Sequence, residues 1–144
     1  MILSIPNFNE NSYLEPGTPL AVYGTIMGIF GNRKPPFKKD LEKQLLDFEA
    51  IHRQASHFCI AGDLNISFSD NYYFTKDGRA KLNAAFEQHQ MINCTANLRH
   101  NIDHIVLSEK FVGDRRVVVR YWNETENNPN RLSDHKGVMV EILE

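Results

Sequence analysis

Two cysteines, Cys59 and Cys94, are too few and too isolated for a disulfide framework, and no histidine stands at zinc-finger spacing around them. Buried free thiols in a reducing compartment are the expectation. No stretch approaches the roughly 20 apolar residues that a spanning helix needs. The opening "MILSIPNFNENS" lacks a basic segment followed by a long apolar run. These absences predict a soluble, cytoplasmic chain with no membrane span. Excess charge is missing too: a formal net charge of -2 gives no global attraction to a polyanion, so contact with nucleic acid has to rest on a local patch or a bridging metal. There is no internal repeat and no low-complexity tract. What is present is core material, 42% hydrophobic over 144 residues, enough for a single domain spanning 1–144.

The strand signals begin with "ILSI" and, after the turn signal Glu15-Pro16-Gly17, "PLAVYGTI". "KKDLEKQLLDFEAIHRQ" (38–54) places Leu41, Leu45, Phe48 and Ile51 near helical spacing, with Pro35-Pro36 as a start signal. "HFCIA" (57–61) reads as a buried strand ended by Gly62. A polar and aromatic loop, "NISFSDNYYFTKDG", leads to a second helix, "RAKLNAAFEQHQ" (79–90). "MINCT", "IDHIVLS", "RRVVVRYW" and "KGVMVEIL" are β-rich and are divided by Asn, Gly, Asp and Pro clusters. The predicted fold class is α/β, a mixed sheet with helices on one face.

Three segments carry the chemistry. In "IAGDLNIS", Asp63 and Asn65 follow an apolar strand and a glycine, at a strand end where open α/β sheets commonly hold ligands. A turn would use the same residues. In "NIDHIVLS", Asp103 lies among Ile102, Ile105 and Val106, and a carboxylate there needs a partner. His135, in "RLSDHKGVMVEIL", is the best candidate. At about 4 Å and an effective dielectric of about 20, an Asp–His⁺ pair gains roughly 4 kcal/mol before desolvation, enough to raise the imidazole pKa and leave a cation for a phosphate oxygen.

The trio "GDLN", "IDHIVLS" and "LSDHKGVMVEI", in that order and each beside an apolar strand, resembles the endonuclease/exonuclease/phosphatase family of metal-dependent phosphoesterases over nearly the whole chain. The resemblance implies half of a four-layer αββα sandwich, the C-terminal half of such a domain. It implies hydrolysis of phosphate esters, foremost phosphodiester cleavage in DNA or RNA, with Mg²⁺ or Mn²⁺ as cofactor. Asp63 would orient or deprotonate the attacking water, and Asn65 would hold that water or a phosphate oxygen. His135 would contact the scissile phosphate, Asp103 would fix its tautomer, and Asp134 would support the metal. The family's early asparagine and principal glutamate ligand have no recognisable counterpart here, and "VYGTIMG" offers only Thr25 where the family carries a His or Tyr. The chain alone is therefore expected to be inactive without an N-terminal half. A lone half would leave an apolar sheet face in water, which predicts self-association or a partner half. The alternative function is a non-catalytic half-domain that binds through that face.

Other features weigh less. Alternation along its strand sends His104 to the face opposite Asp103, in a structural role. His52, His57, His89 and His100 show no ligand spacing. "RKPPFKK" (33–39) sets Lys38 and Lys39 against a helix dipole by roughly 0.3 to 1 kcal/mol each, as a solvated loop or a phosphate contact. Phe68, Tyr72, Tyr73 and Phe74 either stack on bases or cover a core edge. The Asn-x-Ser/Thr triplets at Asn65, Asn93 and Asn123 are set aside as chance.

Overall fold

A computed structural model describes residues 2–3, 19–28, 36–123 and 133–143. The Glu15-Pro16-Gly17 turn, the end of "ILSI" and Arg33 to Pro35 lie outside these residues. Seven strands and three helices run in the order β1 (Ile2–Leu3), β2 (Leu20–Ile26), α1 (Pro36–Gln54), β3 (Phe58–Asp63), α2 (Lys76–Gln88), β4 (Met91–Asn93), β5 (Asp103–Ser108), α3 (Glu109–Val112), β6 (Arg116–Trp122) and β7 (Gly137–Leu143) among the described residues.

The fold is mixed α/β, with a central sheet ordered β1-β2-β3-β5-β4 and helices on one face. Only the β2–β3 pair is parallel, joined through α1, and the other pairs in this sheet are antiparallel. The helix-side layer forms because the apolar positions of α1 (Leu41, Phe48) and α2 (Leu82, Phe86) recur at helical spacing and close over Phe58, Ile60 and Val106. Phe48 and Phe86 stack with ring centroids 6.3 Å apart, and Tyr23 on β2 donates its hydroxyl to Asp47 of α1 at 2.6 Å. Each of these large buried side chains contributes about 2 kcal/mol or more by area burial.

The expected single sheet is corrected in one respect. β6 and β7 leave it and pair with each other as a separate antiparallel two-stranded sheet. Val117, Val140 and Ile142 of that pair pack with Cys59, Ile105 and Leu107 on the side of the central sheet away from α1 and α2. The alternation of β5 makes this possible: Val106 points to the helices, while Ile105 and Leu107 point to the second sheet. Part of the face expected to be bare is therefore covered. Exposed apolar side chains remain at Ile26, Tyr121, Trp122 and Met139.

Element boundaries move for identifiable reasons. α2 begins three residues before the expected Arg79, because the Thr75 hydroxyl caps it by accepting from the Gly78 N–H at 3.0 Å. Gly62 does not end β3 but lies within it at φ +146°, where an added Cβ would stand 1.8 Å from the Thr25 carbonyl oxygen. Glycine is needed there for a close approach between strands and not for a turn. Of the aromatic loop, Phe68 and Phe74 pack against the helix-side core, whereas Tyr72 is exposed and stacks on His100 at 4.9 Å. Cys59 and Cys94 are free thiols, each pushed up to about 11 chiefly by burial.

Candidate functional site

β3 and β5 run antiparallel, and their register sets Asp63 directly opposite Asp103. Asp63 is the last residue of β3 and Asp103 the first of β5, so both carboxylates stand at one end of the sheet. Directly opposed residues on one face bring like charges close, which costs stability unless a cation joins them. That cation comes from the segment leading into β7. His135 donates from Nδ1 to Asp103 Oδ2 at 2.8 Å. Burial alone would lower the His135 pKa, but the Asp103 hydrogen bond and charge, with Asp63 and Asp134 adding, leave it raised. The Asp63 pKa is raised as well, first by burial and then by the Asp103 charge, against the lowering effects of Asn65 and His135. One carboxylate of the pair thus clamps the imidazole. The other is kept as a stronger base than an ordinary aspartate.

Asn65 supports this arrangement from the adjacent turn. It adopts φ 51°, in the left-handed region that asparagine tolerates. Its backbone N–H donates to Asp63 Oδ1 at 2.8 Å, and its amide Nδ2 donates to Asp63 Oδ2 at 3.0 Å and to the Met27 carbonyl at 2.6 Å. The turn reading of the acid-amide couple holds: it makes an Asx turn, and that turn fixes the Asp63 carboxylate at the strand end. With both amide hydrogens engaged, Asn65 acts on the site by aiming Asp63.

The His135 segment is held by a residue that carries no catalytic signature. Asn123, at φ 65° just past β6, donates from Nδ2 to the Ser133 carbonyl at 2.7 Å and to the His135 carbonyl at 2.6 Å. The Ser133 hydroxyl accepts from the His135 N–H at 3.1 Å, and Lys136 Nζ donates to the Arg99 carbonyl at 2.7 Å. Trp122 lies across Gly137, where a Cβ would fall 1.9 Å from the indole. The start of β7 is therefore pinned on several sides. Only the Asn-x-Ser/Thr triplet marked Asn123 in the sequence.

His104 takes the structural place expected of it. It is 1% exposed, donates from Nε2 to the Ile66 carbonyl at 2.8 Å and accepts at Nδ1 from Thr95 Oγ1 at 3.0 Å. Burial depresses its pKa to about 4, although its backbone hydrogen bonds act the other way. Two neighbours on one strand thus face opposite environments: Asp103 feeds the site, and His104 fills the core.

The metal expectation does not hold. Among the described residues no group of three or more His, Cys, Asp or Glu side chains is placed to hold a metal ion. His135 Nδ1 is already committed to Asp103. Asp134, expected as a metal ligand, is 78% exposed and approaches the site only at 4.0 Å from His135 Nε2. Its role is that of an outer negative charge beside the imidazole, and the Mg²⁺ or Mn²⁺ expectation is withdrawn. No helix among the described residues is long and apolar enough to cross a membrane. Comparison with family models, curated proteins and solved structures gives no match to this chain.

Proposed function

We propose that the Asp63–Asp103–His135 cluster acts on phosphate esters, with a phosphodiester of nucleic acid as the leading substrate. The observation that carries this reading is the 2.8 Å Asp103–His135 pair standing beside a second carboxylate with a raised pKa. With Nδ1 held by Asp103, the Nε2–H of the imidazolium is the group left to donate to a non-bridging phosphate oxygen. Asp63 accepts a proton from water as the water oxygen attacks phosphorus. The ester oxygen leaves with its bonding electron pair and is protonated from solvent. Positioning and charge stabilisation are what phosphoryl transfer chiefly asks of a protein. The same residues are those the likeness to the endonuclease/exonuclease/phosphatase family implies. The finer fold reading, half of an αββα sandwich, belongs to this proposal and is supported by the stacking of β6–β7 on the central sheet.

The family likeness implied a need for an N-terminal half, but the clamp, acid and base proposed here all lie within this chain, so the test is turnover of bis(4-nitrophenyl) phosphate and of a labelled DNA strand by the wild-type protein and by the His135→Ala and Asp63→Asn variants. Each variant is expected to lose about a hundredfold or more, the usual worth of a positioned acid or base. Equal turnover in all three would overturn the assignment. Exposed Ile26, Tyr121, Trp122 and Met139 favour a second reading, a non-catalytic scaffold that associates with itself or with a partner half through apolar surface. Concentration-dependent sedimentation together with an absence of turnover is the result that selects it.

A further inference from the structure

At the opposite end of the β3–β5 pair lies an open cavity of 420 Å³, a volume in the range of small-molecule sites. It is about 17 Å from Asp63 at about 3.3 Å per strand residue. Four elements meet there. The end of α1 brings His52 and Arg53, the link into β3 brings Ser56, His89 follows α2, Ser108 ends β5 and Lys110 lies in α3. Among the described residues no carboxylate lines the cavity, although the chain as a whole is net negative. Arg53 pairs with Glu49 one helical turn back.

Two of the lining groups are buried and polar. His89 is only 7% exposed, its ring lies 5.1 Å from that of His52, and its imidazole makes no hydrogen bond among the described residues. Ser108 is 3% exposed, and its Oγ accepts from the Phe58 N–H at 3.2 Å, which leaves its own proton to donate. Buried polar groups in folded proteins nearly always have partners. Both groups line the cavity, where a ligand is within their reach. Two separated cations above neutral donors suit a ligand with several anionic oxygens around one centre.

We infer that this cavity binds a small phosphate-bearing ligand between Arg53 and Lys110, with His89 and Ser108 donating at its floor. The site is independent of the Asp63–His135 cluster and does not rest on the function proposed for it. Because Arg53 and Lys110 are exposed, replacing both leaves the core intact. The test is an amide NMR titration of the chain with inorganic phosphate and, separately, with succinate. Saturable shifts at Ser56, Gln90, Ser108 and Lys110 are expected, with a phosphate dissociation constant of about 1 mM or tighter. Binding should weaken about tenfold or more in Arg53→Ala/Lys110→Ala, one charge-assisted contact being enough for that factor, and persist in His135→Ala. Absence of saturable shifts, equal affinity in the double variant, an equal response to succinate, or loss in His135→Ala would each overturn the inference.

Discussion

Replacing Asp103 by Asn removes the charge that faces His135 while keeping a side chain of the same size. At 2.8 Å the Coulomb attraction is about 1.5 kcal/mol in a water-like dielectric and about 6 kcal/mol at an effective dielectric of about 20. The histidine side chain is 37% exposed and the aspartate 22%, so solvent screening pulls the value toward the lower bound. A coupling of about 1 to 2 kcal/mol is therefore expected, a factor of about 5 to 30. Its pH dependence has a definite sign. The folded His135 pKa is raised above the ordinary value of 6.5, so the stabilisation is complete below that value and disappears as pH rises through the folded pKa. Urea denaturation of wild type, Asp103→Asn, His135→Gln and the double variant closes the cycle. Measured near pH 5 and near pH 9, it should give the full coupling at the lower pH and a much smaller one at the higher. A coupling that is absent near pH 5, or that grows with pH, would refute the reasoning.

His104 should show the opposite trend. Its folded pKa of about 4 lies below the ordinary 6.5, so its contribution is intact above 6.5 and about 3 kcal/mol is lost as pH falls to 4. Urea midpoints across that window should flatten in His104→Gln, and an unchanged slope would contradict the assignment. Asn123→Ala removes two hydrogen bonds to the segment before β7 and should cost about 1 to 3 kcal/mol. It should also abolish the Asp103–His135 coupling, as read by the same cycle in that background. Gly62→Ala forces a Cβ against the Thr25 carbonyl at a φ that only glycine favours, so a loss on the order of 3 kcal/mol or more is expected from thermal melts.

Much of the site could be read from local rules. A carboxylate among Ile102, Ile105 and Val106 demands a partner, and the partner found is His135. Alternation along β5 separated Asp103 from His104, because side-chain direction in a strand is a property of the chain itself. The helices were legible at their cores and less so at their ends, since the start of α2 depends on one hydroxyl at Thr75. Sheet membership was not legible: β6 and β7 have the same β-branched composition as a central strand, and only three-dimensional packing decides that they pair apart. Gly62 looked like a turn residue because glycine permits a turn and a tight strand contact equally well. The cavity at His52 and His89 left no motif and Asn123 only an Asn-x-Thr triplet unrelated to its role, since each joins residues far apart in the sequence. The metal expectation came from the family likeness and from no ligand spacing in this chain, and it failed where the described side chains were too few to form a metal site.

The central claim is that Asp63, Asp103 and His135 form one charged cluster open to a phosphate. Its most direct test follows the His135 Cε1–H resonance through a pH titration, with and without inorganic phosphate, in a buffer containing a chelator so that any response belongs to the side chains. The account predicts a His135 pKa above the ordinary histidine value, a further rise when phosphate is added, and a fall of the phosphate-free value in Asp63→Lys, where a new cation beside the imidazole opposes its protonation. A His135 that titrates at the ordinary value and is indifferent to phosphate would contradict it.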